Sequence, residues 1–181
     1  MIAGGAGIIQ LRAKQQSHSE RQVLLESILP LFESEQAPPL IINDDLELAL
    51  QYPNLGLHIG QDDAPVAQAR TALGPNRILG LSTHSPEQAQ AAIALADELS
   101  YFAVGPVFAT QTKPDYIPVG LELVEYTAQL NPPIPWFCIG GIHRNNVARV
   151  KASGAERIVV VSDVLCDGDT TAAVQTLLSQ L

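Results

Sequence analysis

The chain is short of positive charge. Of its 181 residues only 10 are lysine or arginine, against 19 aspartates and glutamates, a formal net charge of −9. A molecule with that field repels nucleic acid and anionic lipid, so neither is an expected partner. Any anion it binds has to be held by a local cluster of cations and backbone donors. Cysteine is scarce too. Cys138 and Cys166 form no metal-ligand spacing and no disulfide framework, and read as two reduced thiols. No apolar run approaches the roughly 20 residues that span a bilayer. The opening Met1-Ile2-Ala3-Gly4-Gly5 lacks the charged segment of a secretory signal. Low-complexity tracts and linker-like stretches are missing as well. A single domain over residues 1–181 and a cytoplasmic location are therefore expected.

What is present is a core-forming composition, 46% hydrophobic and 16% charged. Short apolar runs recur and predict strands at 7–11, 39–43, 56–59, 77–81, 101–104, 135–139 and 157–161. Most are continuous instead of alternating, the pattern of parallel strands covered on both faces. Helix-like stretches separate them, at 19–32, 46–51, 64–73, 86–94, 121–129, 145–152 and 170–181. Ser85 suits an N-cap, with Pro86 in the first turn and Gln88 at the capping-box position. Gly154 suits a helix C-terminus. Repeated strand-helix alternation predicts a parallel α/β protein.

Polar residues decide between an open sheet and a closed barrel. They gather after nearly every predicted strand: Arg12 and Lys14, Asn43 and Asp44, Gln61 to Asp63, Ser82 and His84, Thr110 to Lys113, Gly140-Gly141, and Ser162. An open doubly wound sheet collects ligands at one switch point. A (β/α)8 TIM barrel collects them from almost all of its strands. The expected fold is the barrel, with seven βα units readable.

In "IIQLRAK", Gln10, Arg12 and Lys14 are two residues apart and share a face if the strand continues. Two cations aimed at one point suit a diphosphate, although a solvated strand end reads the same way. "IINDD" ends a strand with Asn43, Asp44 and Asp45, and "LHIGQDDAP" adds Asp62 and Asp63. Either acidic pair alone reads as helix capping. Together, beside Arg12 and Lys14, they suit magnesium, which takes one or two carboxylates plus water and phosphate oxygens. "GPVFATQTKPD" sets Thr110, Thr112 and Lys113 after a buried strand. "CIGGIHRNN" followed by "IVVVSDV" is similar to barrel phosphate sites, where glycines let backbone amides approach an anion. His18, His58, His84 and His143 read as structural or solvated, and Trp136 and Phe137 as core.

Taken in order and spacing, "GGAGIIQLRAK", "IINDDLELAL", "LHIGQDDA", "GLSTH", "YFAVGPVFATQTKPD", "IGGI" and "VVVSDV" resemble the thiamine phosphate synthase family across essentially the whole chain. The resemblance implies a transferase of thiamine biosynthesis. It joins a diphosphate-activated aminopyrimidine to a thiazole phosphate, releasing pyrophosphate with Mg2+ assistance. By position it implies that Gln10, Arg12, Lys14, Asn43, Ser82 and Lys113 bind the pyrimidine diphosphate, and that Asp44 and Asp63 bind the metal. Thr110, Thr112, Gly141, Val161 and Ser162 would bind the thiazole phosphate. Lys113, Arg12 and Lys14 would be catalytic, stabilising the leaving pyrophosphate. The implied partners are these small molecules, and a homo-oligomer is compatible with the sequence.

Two readings stay beside this one: a thiazole tautomerase on the same barrel, and a non-catalytic binder of phosphate ligands. His84 does not separate them. The family also places a strand and a helix ahead of "GGA", so the chain is expected to start near the end of helix one and to leave two strand edges open. A late start or a shortened chain, a gap filled by another segment or chain, and a decayed homologue all fit that expectation.

Overall fold

Strands buried on both faces need continuous apolar runs, and the runs found in the sequence form one sheet. The structure, a computed structural model, describes residues 1–110 and 117–181. Its strands are β1 (Ile9–Leu11), β2 (Leu40–Asn43), β3 (Gly56–Ile59), β4 (Leu79–Thr83), β5 (Tyr101–Val104), β6 (Trp136–Ile139) and β7 (Ile158–Val159). All run parallel, hydrogen-bonded in the order β1 to β7. The crossovers carry α1 (His18–Ile28), α2 (Leu46–Gln51), α3 (Val66–Leu73), α4 (Pro86–Ala94), α5 (Gly120–Gln129) and α6 (Val147–Ala152). After β7 come the one-turn α7 (Ser162–Leu165) and then α8 (Thr170–Gln180).

Every predicted strand and helix is present, and the differences lie at the ends. The predicted helix at 19–32 finishes as a 3-10 turn, Leu29–Phe32, where Pro30 has no N–H to continue the α-helical ladder. β4 begins two residues later than predicted and keeps Ser82 and Thr83 in the sheet, paired with Ala103 and Val104. Ahead of it, the Arg77 guanidinium donates to the carbonyls of Ala49, Tyr52 and Leu55. β7 is cut short because Val161 (φ −118°, ψ −79°) already turns into α7, a helix too brief to show periodicity in sequence. Gly154 ends its helix in the left-handed region as expected (φ +96°).

The main core lies between sheet and helices, where Leu40, Ile42, Leu57, Ile59, Leu79, Leu81, Phe102 and Val104 are buried. Residues of the opposite parity, including Asn43, His58, Ser82 and Tyr101, turn to the inner face. The 3-10 turn Ile2–Gly4 packs on α8, bringing the two ends of the sheet toward each other. Even so, β1 and β7 do not pair among the described residues. The seven βα units read from the sequence form one seven-stranded parallel sheet, and β1 and β7 each keep one edge without a ladder partner among the described residues, the two open edges expected above. The described residues do not close a full eight-stranded barrel. No helix among the described residues is long and apolar enough to cross a membrane.

Candidate active site

The C-terminal ends of β1 to β4 bring Arg12, Lys14, Asn43, Asp44, Asp62, Asp63, Ser82 and His84 around one cleft. Parallel strands in chain order deliver their ends to a common rim, so residues far apart in sequence meet there. Lys14 Nζ pairs with Asp44 Oδ2 at 2.8 Å, both side chains partly exposed. Asp44 is one of two described non-glycine residues with positive φ (64°), a conformation that aspartate tolerates better than most side chains. Its amide donates to the His58 carbonyl at 2.8 Å, which ties the turn to β3.

The neighbouring Asp45 holds that turn in place. Its Oδ1 accepts the Leu48 amide at 2.9 Å and caps α2, while Oδ2 meets Arg21 Nε at 2.9 Å and His18 Nδ1 at 3.1 Å. Burial alone would push the Asp45 carboxyl up. The Leu48 amide, His18 and Arg21 together outweigh that and hold it below the usual aspartate value.

Asp63 is shifted the other way. Burial pushes its carboxyl up, and the Asp44 carboxylate adds to the rise through a shared hydrogen bond and like charge. The Gly60 amide, at 2.6 Å from Asp63 Oδ2, and the Lys14 charge oppose this without cancelling it. Two neighbouring carboxylates whose like charges oppose each other form a donor set suited to a divalent cation, whose charge removes the conflict. Asp44 and Asp63 therefore fit magnesium, with water and phosphate oxygens left to complete the shell. Among the described residues no group of three or more His, Cys, Asp or Glu side chains surrounds a metal position.

Gln10 sits deeper than this rim on β1, and its side chain reaches the Tyr101 hydroxyl. Thr110, Gly141, Val161 and Ser162 belong to a second region, at the ends of β5 to β7. There the loop after β5 locks onto the loop after β6: Val107 and Phe108 amides donate to the Ile139 and Gly140 carbonyls at 2.8 and 3.0 Å. Gly141 (φ +63°) lies so close that an added Cβ would stand 2.6 Å from the Ala109 carbonyl oxygen. Thr112 and Lys113 lie outside the described residues.

Two features were not picked out from the sequence. Arg144 joins the β6 loop to α7, its amide and Nε meeting Asp163 Oδ2 at 3.0 and 3.1 Å and its guanidinium meeting Asp167 Oδ2 at 2.8 Å. His58, read from sequence as bland, is buried and hydrogen-bonded through both ring nitrogens, to the Tyr101 hydroxyl at 3.0 Å and Ser82 Oγ at 2.9 Å. The signal available in sequence was a polar residue inside an otherwise apolar strand. Its partners lie 24 and 43 residues away and carry no local pattern. His84 bridges two strand ends, its Nδ1 meeting the Gly105 carbonyl while its amide donates to Gln88 Oε1.

The family described as thiamine monophosphate synthase matches residues 1–164. A thiamine-phosphate synthase of Arthrobacter is 43% identical over 200 residues, covering 99% of this chain and 84% of the relative. One from Synechococcus is 41% identical over 181 residues, and there the chain spans 50% of the relative's length. Among solved structures, the thiamine phosphate pyrophosphorylase of Pyrococcus furiosus superposes with a TM-score of 0.85 at 29% identity, over 99% of this chain and 84% of that one. A 3-hexulose-6-phosphate synthase at 16% identity and a TM-score of 0.68 shares the fold alone. The transferase expected from the sequence is the activity that the relatives' names carry. The chain belongs to the thiamine monophosphate synthase family.

Proposed function

We propose that this chain joins a diphosphate-activated aminopyrimidine to a thiazole phosphate, giving thiamine monophosphate and pyrophosphate. The observation that carries the reading is the Lys14–Asp44–Asp63 cluster on the cleft that Arg12, Asn43 and Ser82 also line. In the reaction the bond between the pyrimidine's methylene carbon and the diphosphate oxygen breaks, and its electron pair leaves with pyrophosphate. The thiazole nitrogen lone pair then forms the new carbon–nitrogen bond. No proton has to be removed, so none of the histidines needs to act as a base.

Arg12 and Lys14 face the diphosphate as fork and point charge and stabilise the negative charge that grows on it, a task Lys113 shares. Asn43 and Ser82 hold the same substrate by hydrogen bonds, with Gln10 below them. Asp44 and Asp63 would hold a magnesium ion, which supplies positive charge to the departing pyrophosphate. Thr110, Thr112, Gly141, Val161 and Ser162 form the thiazole phosphate side. In the same reading the seven strands are the larger part of a (β/α)8 barrel and residues 1–181 one domain, acting in the cytoplasm on small molecules.

The test is a turnover assay of the chain with both substrates and magnesium, following thiamine monophosphate and pyrophosphate. Equal amounts of the two products are expected. Isomerisation of the thiazole phosphate without coupling, or substrate binding with no product, overturns the reading.

A further inference from the structure

We propose that His58 is a positioning residue that sets Ser82 as a hydrogen-bond donor toward the cleft, where Ser82 meets an acceptor of the pyrimidine diphosphate. The inference rests on the substrate reading above and deepens it.

The argument follows hydrogen-bond direction along the inner face. His58 on β3 lies between Tyr101 on β5 and Ser82 on β4, and the His58 and Tyr101 rings stack at 5.5 Å between centroids. Phe137 on β6 closes the far side of Tyr101, its ring edge-on at 5.2 Å. Gly80 opposite leaves the room that the Tyr101 ring fills, since any Cβ there would collide with it. The phenol is therefore clamped, and only 6% of the residue is exposed.

A neutral imidazole donates through one nitrogen and accepts through the other. Burial raises the Tyr101 hydroxyl far above its ordinary range, so it keeps its proton and has to place it on an acceptor. His58 Nδ1 stands 3.0 Å away and takes it. Nδ1 is then the acceptor, and Nε2–H donates to Ser82 Oγ at 2.9 Å. Ser82 receives this proton and turns its own hydroxyl proton outward. The chain of donors runs from Tyr101 through His58 and Ser82 to the cleft. An acceptor is the group that completes it, and the pyrimidine diphosphate offers its diphosphate oxygens and ring nitrogens, not its exocyclic amine.

Steady-state kinetics on the whole chain test this. His58→Leu is expected to raise KM for the pyrimidine diphosphate about tenfold, as for loss of one buried hydrogen bond, leaving KM for the thiazole phosphate unchanged. Ser82→Ala should match it. The double variant should be no worse than Ser82→Ala, because His58 acts through Ser82. His58→Gln, which keeps an N–H donor, should recover part of the loss. Additive effects, or a rise in both KM values, overturn the proposal.

Tyr101→Phe covers the case in which His58→Leu does not fold. It keeps the ring in place and should raise the same KM several-fold. An unchanged KM overturns the chain of donors. A readout independent of turnover is the 15N NMR of the His58 ring. Nδ1 is expected to show the unprotonated nitrogen and Nε2 the protonated one. The reverse tautomer overturns the proposal even if the chain makes no thiamine monophosphate, an outcome that would sink the substrate reading alone.

Discussion

The rim at the ends of β1 to β4 and the rim at the ends of β5 to β7 are built on different principles. The first presents charged side chains, several of them steadied by a partner: Lys14 by Asp44, Asp63 by the Gly60 amide, and Asp45 by Arg21, His18 and Leu48. The second presents backbone and hydroxyls, held by loops that fit into one another at Gly140 and Gly141. The difference follows from what each side would bind. A leaving diphosphate gains charge during the reaction and needs cations and a metal opposite that charge. A phosphate that only anchors its substrate is served by backbone donors that a Cβ would push away.

Breaking the charged rim should cost the most. Asp63→Ala is expected to lower kcat by on the order of 100- to 1,000-fold, the scale for losing one preorganised electrostatic group. Raising the magnesium concentration should recover some of it. Turnover near that of the unaltered chain would remove Asp63 from the metal site.

The interlocked rim should respond in binding and stability instead. Gly141→Ala places a Cβ at φ +63° against the Ala109 carbonyl, which costs about 1–3 kcal/mol. Thermal unfolding should report that loss, and KM for the thiazole phosphate should rise while that for the pyrimidine diphosphate holds. A rise in both would mean that the two rims are not separable.

The smallest effect separates two acidic residues within the first rim. Asp45 is held below the ordinary aspartate value of 3.8, so its stabilisation is full above that value and is lost as pH falls through its lower folded value. Asp63 is raised above 3.8, so it favours the fold at lower pH, and that contribution is lost as pH rises through its higher folded value. At neutral pH without metal, Asp45→Asn should lower Tm by about 2–4 °C and Asp63→Asn should raise it by a similar or smaller amount. Both differences should shrink in acid. Magnesium should stabilise the unaltered chain and not the Asp63→Asn variant. Equal signs for the two substitutions would show that Asp63, like Asp45, is a structural anchor.

Much of this was legible in the chain itself. The run at residues 101–104 is apolar on both faces, the pattern of a covered parallel strand, and appears as a strand with the predicted bounds. The cleft residues were legible because each lies at the C-terminal end of a strand or in the loop that follows it, and strand direction fixes which rim it reaches. Arg12, Lys14, Asn43, Asp44, Asp63 and Ser82 meet there for that reason. The ends of β4 and β7 were not legible, since Arg77 and Val161 take their places from carbonyls and turns outside their own segments.

The sequence by itself determined the seven βα units, their order, and which residues stand at the strand ends, because periodicity and apolar runs are local properties of the chain. Tertiary structure alone decided that His58 bridges Tyr101 and Ser82, that burial and the Asp44 carboxylate push the Asp63 carboxyl up while Asp45 is held down, and that Arg144 fastens two loops. Each of these depends on distances between groups tens of residues apart, and such distances are set by how the strands pack side by side.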